Sequence, residues 1–187
     1  MELYLLRHAI AVPRGTPGYP NDDRPLTETG TAKMIKAAKG ISLVLSDIQI
    51  ILTSPLKRTK ETAVIVAQAL GIPDGIQERN ELLPDAPLND ILQMVLEFRE
   101  KEKIMLVCHG PNIGDFAAML IGAPESRLAF KKGAICRIDF TPESSGTLVW
   151  HLPPKFLRLL AKAKANDKTS PEHTASVPRQ THRRRGN

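Results

Sequence analysis

Residues 3–9 read LYLLRHA. Leu3, Tyr4, Leu5 and Leu6 make an unbroken apolar run of strand length. Such a run, without polar alternation, belongs to a strand covered on both faces. Arg7 and His8 follow at once. A guanidinium has no partner inside an apolar core. These two residues therefore either mark where the strand meets water or stand in a site that wants positive charge.

Working outward, strand-length apolar runs recur at 48–53 (IQIILT), 103–108 (KIMLVC), 134–140 (AICRIDF) and 147–152 (TLVWHL), with a weaker one at 76–79 (IQER). Helical patterns lie between them. In LTETGTAKMIKAAKGISLVL, Thr27 is an N-cap candidate and Met34, Ala38, Ile41 and Leu45 fall on one face. In SPLKRTKETAVIVAQALG, Ser54 stands where an N-cap would, Pro55 at the first helical position and Gly71 past the end. LNDILQMVLEFREK and NIGDFAAMLIG are helical by period. Strands alternating with helices of this length predict an α/β fold, a three-layer α/β/α sandwich on a mostly parallel central sheet. CRIDFTPESSGTLVWHL differs: two strands flank a polar turn, which predicts an antiparallel hairpin at one edge.

After Trp150, HLPPKFLRLLAKAKA reads as a short amphipathic helix able to dock on the body. From 166 the chain has almost no apolar residues and cannot bury enough surface to order itself. The expected organisation is one domain over 1–165 and a disordered basic tail over 166–187. The net charge of +6 is unevenly spread. Residues 155–187 hold nine Lys/Arg and two Asp/Glu, which leaves seventeen basic and eighteen acidic residues in 1–154. Nucleic-acid binding is therefore not expected of the domain and could rest only on the tail. No stretch approaches 18 apolar residues, so no membrane span is expected. The N-terminus lacks the pattern of a signal peptide. Cys108 and Cys136 make no disulfide framework, and a cytoplasmic setting is expected.

In open α/β sheets, ligands bind beyond the carboxyl ends of the parallel strands. Three such ends carry unusual residues: Arg7-His8, Arg58 within TSPLKR, and His109 within VCHGPN. Each alone has an ordinary reading, as a solvated strand end, an exposed helix residue or a structural histidine. Their recurrence at three strand ends points to one shared demand, which is phosphate. Arginine forks match phosphate oxygens, and helix N-termini add backbone N–H donors. Rival chemistries fail on spacing. Six residues after Cys108 and Cys136 stand Gly114 and Pro142, not the arginine a cysteine phosphatase loop needs. There is no nucleotide-binding glycine loop. His8, His109, His151, His173 and His182 show no metal-ligand spacing, so neither metal nor cofactor is expected.

LLRHAIA, RPLTETG at 24–30, LTSPLKRTKETA at 52–63, NELLP at 80–84 and LVCHGPNIG at 106–114 together resemble the histidine phosphatase superfamily. The small size, the RHA triplet and the motif order are similar to its SixA-type phosphohistidine phosphatases. The resemblance covers residues 1–154. It implies a phosphohistidine intermediate, with His8 as nucleophile and Arg7, Arg58 and His109 binding the phosphoryl oxygens and stabilising the transition state. The two arginines are expected to lower the pKa of His8 and keep it neutral. Glu81 is the candidate proton donor, with Asp22 or Asp23 as alternatives. The implied reaction is hydrolysis of phosphohistidine on a protein in a phosphorelay, the partner being a phosphorylated protein such as a histidine-containing phosphotransfer domain. Short segments between the motifs leave little chain for a lid, which suits a protein-borne phosphate. The alternative is a small phosphate ester such as a sugar phosphate. A mutase fits less well for want of a lid. A non-catalytic protein binding through its tail fits less well because the four-residue set is intact.

Overall fold

The computed structural model describes residues 1–19, 22–126 and 128–167. The chain runs β1 (Glu2–Arg7), α1 (Glu28–Val44), β2 (Ile50–Thr53), α2 (Lys57–Leu70), β3 (Ile76–Glu78), a 3-10 turn (Asn80–Leu82), α3 (Leu88–Glu97), β4 (Lys103–Cys108), α4 (Asn112–Leu120), β5 (Ile135–Thr141), β6 (Ser144–Leu152) and α5 (Pro154–Asp167). One six-stranded sheet has the order β3-β2-β4-β1-β5-β6. The first four strands are parallel. β5 and β6 add antiparallel pairs at one edge, the expected hairpin, but β6 begins at Ser144 and takes in the Ser/Gly stretch, so the turn is only Pro142-Glu143.

β1 shows why its sequence is continuously apolar. Leu3 and Leu5 point into a core built with Ile91 and Met94 of α3 and Phe116 of α4. Tyr4 and Leu6 point the other way, into a core with Met34 and Ile41 of α1, Val66 of α2 and Leu157 of α5. Leu3, Leu5 and Leu6 are wholly buried, and each contributes about 1.5–3 kcal/mol of apolar burial. The three-layer α/β/α architecture follows directly.

Two helix ends carry their expected signals. Thr27 caps α1, its hydroxyl accepting from Gly30 N at 2.9 Å, and Gly71 closes α2 in a left-handed conformation at φ 74°. α5 docks on α1 so closely that a Cβ at Gly40 would lie 2.0 Å from the carbonyl oxygen of Leu157. Asn166 and Asp167, assigned to the tail by composition, are instead the last residues of α5. The rest of the expected tail lies outside the described residues. No described helix is long and apolar enough to cross a membrane.

Candidate active site

The sheet order brings the three unusual strand ends side by side. β1 and β4 are neighbours, with Arg7 paired to Cys108. β4 and β2 are neighbours, with Val107 paired to Thr53. His8 N donates to Cys108 O at 3.0 Å and Ser54 N to Val107 O at 3.1 Å, so the ladder extends one residue past each strand. His8, His109 and Ser54 thus leave the sheet together. The His8 and His109 rings stand 5.2 Å apart between centroids, tilted by 59°.

His8 is 6% exposed and its Nδ1 lies 2.7 Å from the carbonyl oxygen of Ala9. A carbonyl only accepts, so Nδ1 carries the proton and Nε2 keeps its lone pair. The Ala9 backbone is itself held: its N–H donates to Thr62 Oγ1 at 3.1 Å, and that hydroxyl donates to Arg58 O at 2.7 Å. Burial pushes the pKa of His8 down to about 3, with further lowering from the charges of Arg58, Arg7 and Lys132. The ring is therefore neutral across the physiological range. The arginines act in the expected direction, but desolvation is the larger cause.

His109 is 3% exposed and its pKa is pushed down to about 2, first by burial and then by His8 and Arg58. Its Nε2 lies 2.9 Å from Ser54 Oγ. Its Nδ1 is buried and unpartnered. If Ser54 donates to Nε2, the proton of the neutral ring stands on Nδ1, aimed into the site as a donor. Ser54 Oγ also accepts weakly from Leu56 N at 3.4 Å, but Ser54 is not the N-cap of α2. The helix begins later, with Leu56 in the N-cap position and no side-chain cap.

Arg7 lies flat against the chain at Gly110, where a Cβ would stand 2.8 Å from its Cζ. Its Nη1 donates to Phe130 O at 2.5 Å, while its Nε is buried and unpartnered. Arg58, 2% exposed, donates from Nη1 to Asp22 O at 2.6 Å and pairs through Nη2 with Asp22 Oδ2 at 3.1 Å. Its Nε is also buried without a partner. Among the described residues, four buried side-chain nitrogens lack a partner, and Arg7 Nε, Arg58 Nε and His109 Nδ1 are three of them. Buried polar atoms are normally paired. The three orphans stand at or just past the ends of β1, β2 and β4. The charges of Arg7 and Arg58 act on both histidines, and such a donor set suits an oxyanion.

The candidate proton donors are differently placed. Glu81 sits in the 3-10 turn and forks Arg79, with Oε1 at 2.8 Å from Nη2 and Oε2 at 3.2 Å from Nε. That hydrogen bonding holds its pKa below the usual carboxylate range. Its contacts are with Arg79 and not with the Arg7–His8–Arg58–His109 group. Asp22 does reach the group through Arg58, but the Arg24 hydrogen bond, at 2.6 Å, lowers its pKa as well. Asp23 Oδ1 accepts from Lys57 N at 2.6 Å, beside the start of α2.

The sequence of the histidine phosphatase superfamily, branch 1, matches residues 3–82, a span holding Arg7, His8 and Arg58. A curated, uncharacterised protein of Picosynechococcus sp. is 36% identical over 139 residues, covering 72% of this chain and 82% of that protein. The chain belongs to the histidine phosphatase superfamily. The phosphohistidine phosphatase SixA of Escherichia coli is 26% identical over 165 residues, 87% of this chain and 99% of SixA. A structure of the protein histidine phosphatase SixA complexed with tungstate superposes with a TM-score of 0.73 at 23% identity, over 83% of this chain and 98% of that one. A mycobacterial glucosyl-3-phosphoglycerate phosphatase with inorganic phosphate superposes at 0.64 and 19% identity, over 82% of this chain and 98% of that one. These likenesses show the same fold.

Within this superfamily frame, the motif reading missed three residues. Ser54 was legible only as a cap. Thr62 gave no signal in a helix interior. Lys132 lies in the loop before β5, past the last of the motifs, yet its charge reaches His8.

Proposed function

We propose that this chain hydrolyses phosphohistidine on a protein, through a phosphoryl intermediate on His8. One observation carries the reading. A neutral imidazole with a free Nε2 lone pair stands beside three unpartnered donors from Arg7, Arg58 and His109. Nε2 attacks phosphorus, the N–P bond of the substrate breaks, and the departing imidazole takes the bond's electrons and a proton from solvent. The arginines and His109 bear the charge that spreads over the phosphoryl oxygens. Water then attacks the phosphoryl group, His8 leaves, and inorganic phosphate is released.

The protein substrate is supported by the state of the carboxylates. Glu81 and Asp22 are both held ionised by arginines, which makes each a poor proton reservoir at neutral pH. An alkoxide leaving group needs such a donor. Imidazole leaves more readily and needs it less. Similarity to SixA along almost its whole length supports the same reading. The test is turnover of a phosphohistidine-bearing phosphotransfer domain against a panel of small phosphate monoesters, at equal enzyme. The protein should be preferred by kcat/KM, and a preference for a sugar phosphate overturns the proposal.

A further inference from the structure

Beside the His8 strand end lies a second recess, of about 270 Å³. It is bounded by α1, the start of α5 and the loop before β5. Ala9 and Gly133 form part of its wall, and Lys33, Lys131, Lys132 and Arg158 line the rest of its polar surface, with no carboxylate among the lining residues. The loop is fastened to the active-site strand. Gly133 N donates to the carbonyl oxygens of Arg7 at 3.0 Å and His8 at 3.1 Å, and Arg7 N donates to Ala134 O at 3.0 Å. These hydrogen bonds hold the wall of the recess directly against the strand end that carries Arg7 and His8.

Some cations elsewhere on this chain find carboxylates, Lys60 with Glu78, Arg99 with Glu100 and Arg137 with Glu2 and Asp139, while Lys36 and Lys39 on the outer side of α1 form no ion pair among the described residues. Among the described residues, the four cations of the recess have no such ion pair. The helices behind them are similarly one-sided. α1 and α5 together hold seven Lys/Arg and two Asp/Glu, although residues 1–154 as a whole carry slightly more acid than base. Unscreened like charges crowded at one recess destabilise the free protein and are relieved by an anionic partner.

A monoester brings one anionic group, which the Arg7–Arg58–His109 cradle receives. The recess next to it needs further negative charge on the same substrate. We infer that it docks carboxylate side chains flanking the phosphohistidine of an acidic protein substrate. This rests on the phosphohistidine reading above. Its size suits one or two carboxylate side chains, and its position sets the substrate surface over His8. Lys33 and Arg158 lie on the helix side of the recess, outside the catalytic group.

The test is charge reversal at Lys33→Glu with Arg158→Glu, assayed on a phosphohistidine phosphotransfer domain with an acidic surface and on p-nitrophenyl phosphate. At low ionic strength, kcat/KM on the protein should fall by about tenfold, mainly through KM, and the deficit should shrink as salt screens the contact. Turnover of the monoester should stay at the wild-type level. The neutral pair Lys33→Gln with Arg158→Gln, at an unchanged melting temperature, should lose less. Unchanged efficiency on the protein at low salt overturns the inference. So does an equal loss on the monoester, or a loss confined to small esters bearing a second phosphate. Wild-type enzyme that turns over no phosphohistidine protein overturns the underlying reading instead, and the docking inference falls with it.

Discussion

Gly110→Ala perturbs one contact in a calculable way. The added Cβ would stand 2.8 Å from Arg7 Cζ and Nε, against ordinary contact from 3.4 Å, so the guanidinium must retreat by about 0.6 Å. The nearest atoms are those of a side-chain end, not backbone, so the fold should hold, with a stability change within about 1 kcal/mol. The retreat pulls on the Arg7–Phe130 hydrogen bond and displaces Nε from the cradle. Displacements approaching 1 Å at a catalytic group cost up to about a hundredfold, so kcat/KM should fall by about 10–100-fold. The assay is steady-state turnover of a phosphohistidine protein, paired with a thermal melt. Activity within threefold of wild type would mean that Arg7 does not grip the transition state. An unfolded variant would mean that the close approach is a backbone constraint and not a site constraint.

Ser54→Ala should lower kcat by about tenfold with little change in KM, because an unfixed tautomer weakens the His109 donor; Ser54→Thr should recover most of the loss, and equal effects of both would refute the tautomer role. Acid should destabilise the fold in a defined window. His8 and His109 sit at about 3 and about 2 in the fold against about 6.5 unfolded, so the unfolded chain binds the extra protons below about pH 6.5. Stability is fully present above that value and is lost as pH falls toward 3, each histidine adding a slope approaching about 1.4 kcal/mol per pH unit. Denaturant melts at pH 7 and pH 5 should show it, His8→Asn should reduce it, and equal stability at both pH values would contradict buried neutral rings. Glu81→Gln should keep activity on phosphohistidine within about threefold and cost at most about 1 kcal/mol, as a half-exposed ion pair does; a hundredfold loss would make Glu81 the proton donor after all.

Much of this was readable along the chain because it depends on strand ends. An apolar run followed by Arg-His, and another followed by His-Gly, place those residues at the carboxyl edge of a parallel sheet whatever the packing details. Other features depend on distant partners. Ser54-Pro55 has the local look of a helix start, yet the Ser54 hydroxyl serves a histidine 55 residues away and α2 begins at Lys57. The depression of the His8 pKa was expected from two arginines, whereas burial is the larger cause, and the depth of burial is set by tertiary packing. The ionised state of the acid candidates was closer to view. Arg79 and Arg24 each stand two residues from the carboxylate they hold. The basic recess had no sequence pattern, because α1, the 131–133 loop and α5 contribute to it from separate segments.

The central claim is that His8 carries the phosphoryl group during turnover. Enzyme mixed with a radioactive phosphohistidine donor and quenched within a turnover should hold label that is stable in alkali, lost in acid, and located by peptide mapping on His8. His8→Ala should take no label and show no turnover while melting like the wild type. Label on serine or cysteine, or turnover that survives His8→Ala, would contradict the histidine nucleophile.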